Sequence, residues 1–451
     1  MSIQALLSAR IQKTAHGLGI RSHFVQGFLG LMLLKGGATF LLFLQQILVA
    51  RLSGTESYGN YAFVLGWLTL LVLLGPLGFD TAAVRFVSVY TIKKNLAGLK
   101  GFFIRGLQIV ASASAACALL VILVSRSTLS DSSFELRTTF AWGALYLFVL
   151  GAVQFGTAIL QGLQRVHLSF IMRSLILPFL SIVGVLLFIA FSSRTSLLSY
   201  HVVAIEFIAG GIVSIVLYKV IFKQLPRSLL EHEKEVATGE WLRTAMPIWA
   251  HTGFKLGMDK SGIILSGILL GTVSSGLFSV SVQASNLLGF GLFTVSSLAA
   301  PRIARLFAEG KSEELQSLIK LSTKVALAFA VVSGLTLLVF GELLLGLFGS
   351  EFRAAYIPLC ILIFGQVLNS FAGPVGSLLI MTGNERRSAK VGMLAFLVNL
   401  LFMPVLIHLF GLLGAALATT FTAALWNGLL IRDVRRVLKL NPTLLKSWSV
   451  S

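Results

Sequence analysis

Five ionisable side chains lie in stretches that are otherwise apolar: Lys35, Glu206, Lys255, Asp259 and Lys260. A charge at membrane depth is costly, so each is a candidate for holding an ion or a charged cargo. Lys35 is followed at i+4, i+7 and i+11 by Thr39, Leu42 and Gln46, which on a helix each fall within about 40° of Lys35. Thr252, Lys255, Asp259 and Ser266 form a second such stripe. Stripes of this kind suit the wall of a water-filled cavity, where lysines would bind an anionic group such as a phosphate or diphosphate. Asp259 and Glu206 would there couple H⁺ or Na⁺ to a cycle.

Structural roles compete with each of these. Lys255 and Asp259 stand at i, i+4 and could neutralise one another. Lys260 points roughly 140° away from Lys255 and could snorkel or meet a polar neighbour. Glu206 could pair with Lys260 or His201, and Asp80 with Arg85. No Gly-rich nucleotide loop, Ser/His/Asp arrangement or metal-ligand cluster is visible, so neither an enzyme nor a bound cofactor is expected.

The elements that must carry these residues are membrane helices. The chain is 56% hydrophobic and only 12% charged, with a mean hydropathy of +0.91, outside the range of soluble domains. Long apolar runs exclude a β-barrel, whose strands alternate. Twelve spans are expected, at residues 24–49, 58–80, 102–124, 138–160, 169–191 and 199–221, then at 244–269, 274–299, 321–346, 354–381, 388–410 and 412–434. Pro247, Gly75-Pro76-x-Gly78 and Gly373-Pro374-x-Gly376 are expected to bend or break them. Cys117 and Cys360 sit in apolar runs and read as buried thiols.

The formal charge of +19 follows the positive-inside rule and calls for no nucleic acid. On this topology the outer loops hold only Arg51, Arg126, Arg137, Arg194 and Arg353, while most of the other basic residues fall on the opposite, cytoplasmic side together with both termini. The expected organisation is an amphipathic cytoplasmic stretch at 1–23, an N-terminal six-helix bundle at 24–222, a solvated cytoplasmic linker at 223–243, a C-terminal six-helix bundle at 244–434 and a basic tail at 435–451.

An internal repeat joins the bundles. Gly54-Thr-x-Ser-x-Gly-x-Tyr61 recurs 217 residues later as Gly271-Thr-x-Ser-x-Gly-x-Phe278, and the same offset carries Ala82, Ala83 and Arg85 onto Ala299, Ala300 and Arg302. Two parallel six-helix copies imply a pseudo-two-fold axis along the membrane normal. Lys35 and Lys255 should then lie at comparable depth in corresponding helices.

The run QILVARLSGTESYGNYAFV from Gln46, followed by LGPLGFDTAAVRF, resembles the first two helices of Wzx-type oligosaccharide flippases of the multidrug/oligosaccharidyl-lipid/polysaccharide exporter superfamily. The resemblance implies two bundles in a V that alternates between inward-open and outward-open states. It implies a cargo of polyprenyl-diphosphate-linked oligosaccharide, moved from the cytoplasmic to the outer leaflet of a bacterial inner membrane. Membrane lipids, a glycan polymerase and chain-length proteins would be its partners. The family's basic cavity maps onto Lys35 and Lys255, with Thr39, Gln46, Lys260 and Asn369 beside them and Arg51 at the outer rim. Arg85 and Arg302 would form a cytoplasmic gate. An ion-coupled drug or metabolite exporter is the competing reading; a glycan polymerase or ligase would need a large outer loop with a catalytic Arg or His.

Overall fold

The structure, a computed structural model, describes residues 22–128, 133–192, 196–226, 228 and 233–444. Most of the expected N-terminal stretch, with Arg10, Lys13 and Arg21, lies outside these, as do Arg194, Glu231, His232 and the end of the basic tail. No strand occurs among the described residues. The protein is an all-helical, multi-pass membrane protein.

The helices are α1 (Ser22–Leu71), α2 (Phe79–Ile92), α3 (Leu96–Thr128), α4 (Phe134–Gly162), α5 (Val166–Phe191), α6 (Ser199–Gln224), α7 (Thr238–Leu270), α8 (Thr272–Ala308), α9 (Ser312–Gly346), α10 (Tyr356–Ala372), α11 (Val375–Met381), α12 (Glu385–Phe410) and α13 (Leu412–Leu438). Among the described residues, ten segments are long and apolar enough to cross a membrane, where twelve spans were expected. The shortfall has two causes. The first segment, Lys35–Leu71, runs through Gly54, whose φ of 76° and ψ of 174° interrupt the helix. Helix α7 carries Glu240, Arg243, Lys255, Asp259 and Lys260 and is not among the ten.

Gly54 and Gly271 are one-residue turns of the same kind. Gly271 has φ 92° and ψ 160°, a left-handed conformation that favours glycine. Each turn ends a helix bearing one of the two lysines and starts the next. The repeat then brings its own copies together: a Cβ on Gly276 would sit 2.9 Å from Gly59 Cα, and one on Gly59 would strike the Thr272 carbonyl. Only a bare backbone permits this approach of α1 to α8. Around it the core of the N-terminal half continues into Val280, Ala284, Phe348 and Phe352.

The second span of the N-terminal half is broken at 72–78. Leu77 and Gly78 have φ of 48° and 82°, and the helix resumes at Phe79. Gly78 fits against α7, where a Cβ would meet Ala245 Cβ at 3.0 Å, and Trp249 Nε1 donates to the freed Leu73 carbonyl at 2.8 Å. Gly373, with φ 73°, likewise ends α10. Pro247, expected to bend its span, lies within an unbroken α7, and Pro301 and Pro404 also sit inside helices.

The connection between halves is not simply solvated. The Glu235 backbone N–H donates to the Ala97 carbonyl at 3.1 Å. Trp241 is fully buried against Phe79 and Phe102, and its Nε1 donates to Tyr90 Oη at 3.0 Å. The aromatic body brings apolar area into the core while the indole N–H keeps a partner. The start of α7 is thereby fixed to the N-terminal half.

Candidate functional site

Lys35 on α1 is half-buried, and its Nζ lies over the Phe293 ring of α8, 2.7 Å from the centroid. The ring's negative face offsets part of the cost of holding an ammonium away from bulk water. Lys255 on α7 is exposed and near enough to act electrostatically on Lys35. No ion pair within 4 Å joins either lysine to a described carboxylate; the described pairs are those of Glu309 with Arg305 and Lys311 and of Glu314 with Lys311. Lys255 and Asp259 make no ion pair within 4 Å, but Asp259 lies within electrostatic reach of both Lys255 and Lys260. Two cations from the two halves thus lie within electrostatic reach of one another. Thr39 is occupied otherwise: its hydroxyl donates to the Lys35 carbonyl at 2.9 Å.

Beside Lys255 opens a cavity of about 490 Å³ lined from α7, α8, α10, α12 and α13, with Asp259, Lys260 and Asn369 in its wall. In its wall Asn399 Oδ1 accepts from Ser261 at 2.6 Å and Asn399 Nδ2 donates to Thr422 at 3.1 Å, all three residues buried.

Glu206 on α6 lies elsewhere. It meets neither Lys260 nor His201, whose Nδ1 instead accepts from the Leu198 N–H at the start of α6. Tyr61 Oη donates to Glu206 Oε1 at 2.6 Å and Gln45 Nε2 to the same oxygen at 3.0 Å. Glu206 Oε2 is buried without a partner. From Tyr61 the chain of bonds continues: Gln46 donates to Tyr61 at 3.4 Å, Tyr58 to Gln46 at 3.0 Å, and Gln283 of α8 to Tyr58 at 3.2 Å. Gln46 is thus part of a polar seam between halves beside the Gly59–Gly276 approach, not a neighbour of Lys35. Thr55 also donates across the seam to Glu351.

Arg51 and Arg85 are exposed and Arg302 is half-buried. The expected Asp80–Arg85 pair is absent; Gln154 Nε2 donates to Asp80 Oδ2 at 2.6 Å instead. Sequence reasoning missed Gln45, Tyr61, Gln283 and Phe293. Gln45, Gln283 and Phe293 share no stripe or register with a charged residue, so nothing marks them until their partners are known.

Residues 24–307 match the family described as polysaccharide biosynthesis protein. A stretch of 170 residues is 29% identical to a capsular polysaccharide biosynthesis protein of Staphylococcus aureus, covering 37% of this chain and 43% of that one. Another of 163 residues is 24% identical to the "Probable low-salt glycan biosynthesis flippase" of Haloferax volcanii, covering 36% and 34%. The matches thus span less than half the length of either relative. Among solved structures, an inward-facing multidrug resistance transporter of the MATE family superposes with a TM-score of 0.72 at 13% identity, covering 89% of this chain and 94% of that one. The lipid II flippase MurJ, in an inward closed conformation, gives 0.67 at 14% identity, covering 89% and 87%. At these identities the likeness establishes the fold alone, which is that of these two transporters.

Proposed function

Because the chain belongs to the polysaccharide biosynthesis protein family, we propose that it flips a polyprenyl-diphosphate-linked oligosaccharide from the cytoplasmic to the outer leaflet of a bacterial inner membrane. The observation that carries this reading is Lys35 seated over the Phe293 ring, with Lys255 of the other half within electrostatic reach and neither lysine in a 4 Å ion pair with a described carboxylate. A diphosphate has the charge and the acceptor oxygens to satisfy both ammonium groups. Twelve passes follow if α1 is divided at Gly54 and α7 is added to the ten apolar segments, and the matching turns at Gly54 and Gly271 support a pseudo-two-fold relation of the lobes. Even numbers of passes place both termini on one side, which the distribution of basic residues makes cytoplasmic.

Alternating access on this reading parts the seam at Gly59 and Gly276 while the opposite ends of the lobes close. Glu206 Oε2, buried without a partner, and Asp259 in the cavity wall are the proposed seats of a coupling H⁺ or Na⁺. The test is direct. Lys35→Ala and Lys255→Ala are each expected to abolish surface-glycan export while membrane levels of the protein stay at wild type. Undiminished export by both variants refutes the assignment. Loss of drug efflux on Asp259→Asn with glycan export intact would favour the exporter reading.

A further inference from the structure

The segment after α13 folds back onto the lobe it leaves. Lys439, with φ 53°, turns the chain, and Leu440 enters the small core that also holds Leu315, Ile319, Ala372 and Val375. The next residue pairs with α9 in both directions: the Asn441 N–H donates to Gln316 Oε1 at 2.7 Å, and Gln316 Nε2 donates to the Asn441 carbonyl at 2.7 Å. One residue on, the Pro442 carbonyl accepts from Thr323 Oγ1 at 2.9 Å, both residues buried. Arg435 Nη2 closes the turn onto Asn441 Oδ1 at 3.3 Å and Thr443 Oγ1 at 3.2 Å. Thr323 also faces the break that ends α10: a Cβ on Gly373 would strike its Oγ1. We propose that residues 439–443 are a strap that, docked, holds the Gly373 break against α9 and, released, frees α10 and α11 to bend there, so that the strap regulates the mobility of the C-terminal lobe.

The N-terminal half repeats the arrangement. There the segment after α6 lies on the start of α3: the Glu235 N–H donates to the Ala97 carbonyl, Asn95 Nδ2 donates to Glu235 Oε2 at 3.2 Å, and a Cβ on Gly101 would strike the Glu235 carbonyl. That segment continues into α7, which holds the break at 72–78 through Trp249 and Ala245. Helices α3 and α9 are the ones that follow Arg85 and Arg302 of the repeat. In each half, then, the segment after the last helix lies on the corresponding helix and restrains a broken span. The two differ in their anchors. The N-terminal clasp is stretched between α6 and α7 and buries the whole of Trp241, an aromatic body with a large apolar area, where the strap inserts Leu440. Hydrogen bonds exchanged for water contribute little net, so a segment held by Gln316, Thr323 and Arg435 can open without unfolding the lobe. The break it restrains forms part of the cavity wall through Gly373, Pro374 and Ser377, and bending there alters the cavity whatever it binds.

Hydrogen exchange of the full chain in lipid nanodiscs reads the hinge directly and needs no cargo. Gln316→Ala removes both bonds to Asn441 and is expected to raise amide exchange at residues 373–381 about tenfold, a shift in local opening of the size that two such bonds supply. Exchange in α12 and at residues 95–101 should stay unchanged. Thr323→Val keeps the side-chain shape, removes the hydroxyl and should act in the same way. The pair Gln316→Cys and Asn441→Cys, in a chain whose Cys117 and Cys360 are replaced, should show the same rise. Tethering that pair with a reducible bis-maleimide is expected to return exchange to the wild-type rate, and reduction to raise it again. Exchange at 373–381 that stays at the wild-type rate in both Gln316→Ala and Thr323→Val overturns the strap. A rise shared evenly by α9, α10, α12 and α13 also overturns it, since that is the response of ordinary packing, and so does a tether that restores nothing.

Discussion

At the scale of single residues, Glu206 shows how a charged type can serve two ends. One carboxyl oxygen accepts from Tyr61 and Gln45, and the other is buried with nothing bound. Glu206→Gln keeps an acceptor for both donors and is expected to leave thermal stability in detergent close to wild type. Glu206→Ala orphans two buried donors, each costing about 1–3 kcal/mol, and should lower the unfolding midpoint clearly. Equal midpoints for the two variants would show that these bonds contribute little. The sequence made Glu206, Lys35 and Lys255 conspicuous because a charge stands out in an apolar run. It could not supply their partners: Gln45 and Tyr61 are separated from Glu206 by 161 and 145 positions. Expectations of pairing within a turn or two, such as Asp80 with Arg85, failed for the same reason, since Gln154 lies 74 positions from Asp80.

At the scale of elements, what breaks a helix is more specific than the presence of proline. Gly75-Pro76-x-Gly78 and Gly373-Pro374-x-Gly376 both interrupt their spans, each with a glycine at positive φ. Pro301 and Pro404 stay within helices, because membrane helices tolerate a proline whose freed carbonyl finds company. At 72–78, where the helix does break, Trp249 Nε1 donates to the Leu73 carbonyl. Trp249→Phe removes the donor while keeping an aromatic body, and a loss of about 0.5–1.5 kcal/mol is expected, with amide exchange at residues 72–78 rising more than in α1. Uniform exchange changes would refute a local role. Helix α7 begins at Thr238 and uses Trp241 to grip the other half, a contact that periodicity within one helix does not reveal.

At the scale of the whole molecule, the repeat was legible as a register of matching residues, and its turns adopt matching backbones at Gly54 and Gly271. Its spatial meaning was not legible, because which copy touches which depends on how the lobes dock. The seam at Gly59 and Gly276 admits no Cβ without displacement of backbone. Gly59→Ala and Gly276→Ala are therefore expected to shift the protein toward a state parted at this end, read as faster labelling of a cysteine placed at Gln283 by a membrane-impermeant thiol reagent, with Cys117 and Cys360 replaced. Unchanged labelling in both would mean that the seam does not set the conformational balance. The one-residue turns give this seam a mechanical role. A loop of several residues would absorb a rotation of the helix before it, but a single glycine has two torsions and no spare length. Lys35 lies 19 residues before Gly54, a lever of about 28 Å at 1.5 Å per residue. On the proposed function, a tilt imposed by an anion drawn onto Lys35 would arrive at Gly59 as displacement, gearing cargo capture to the seam.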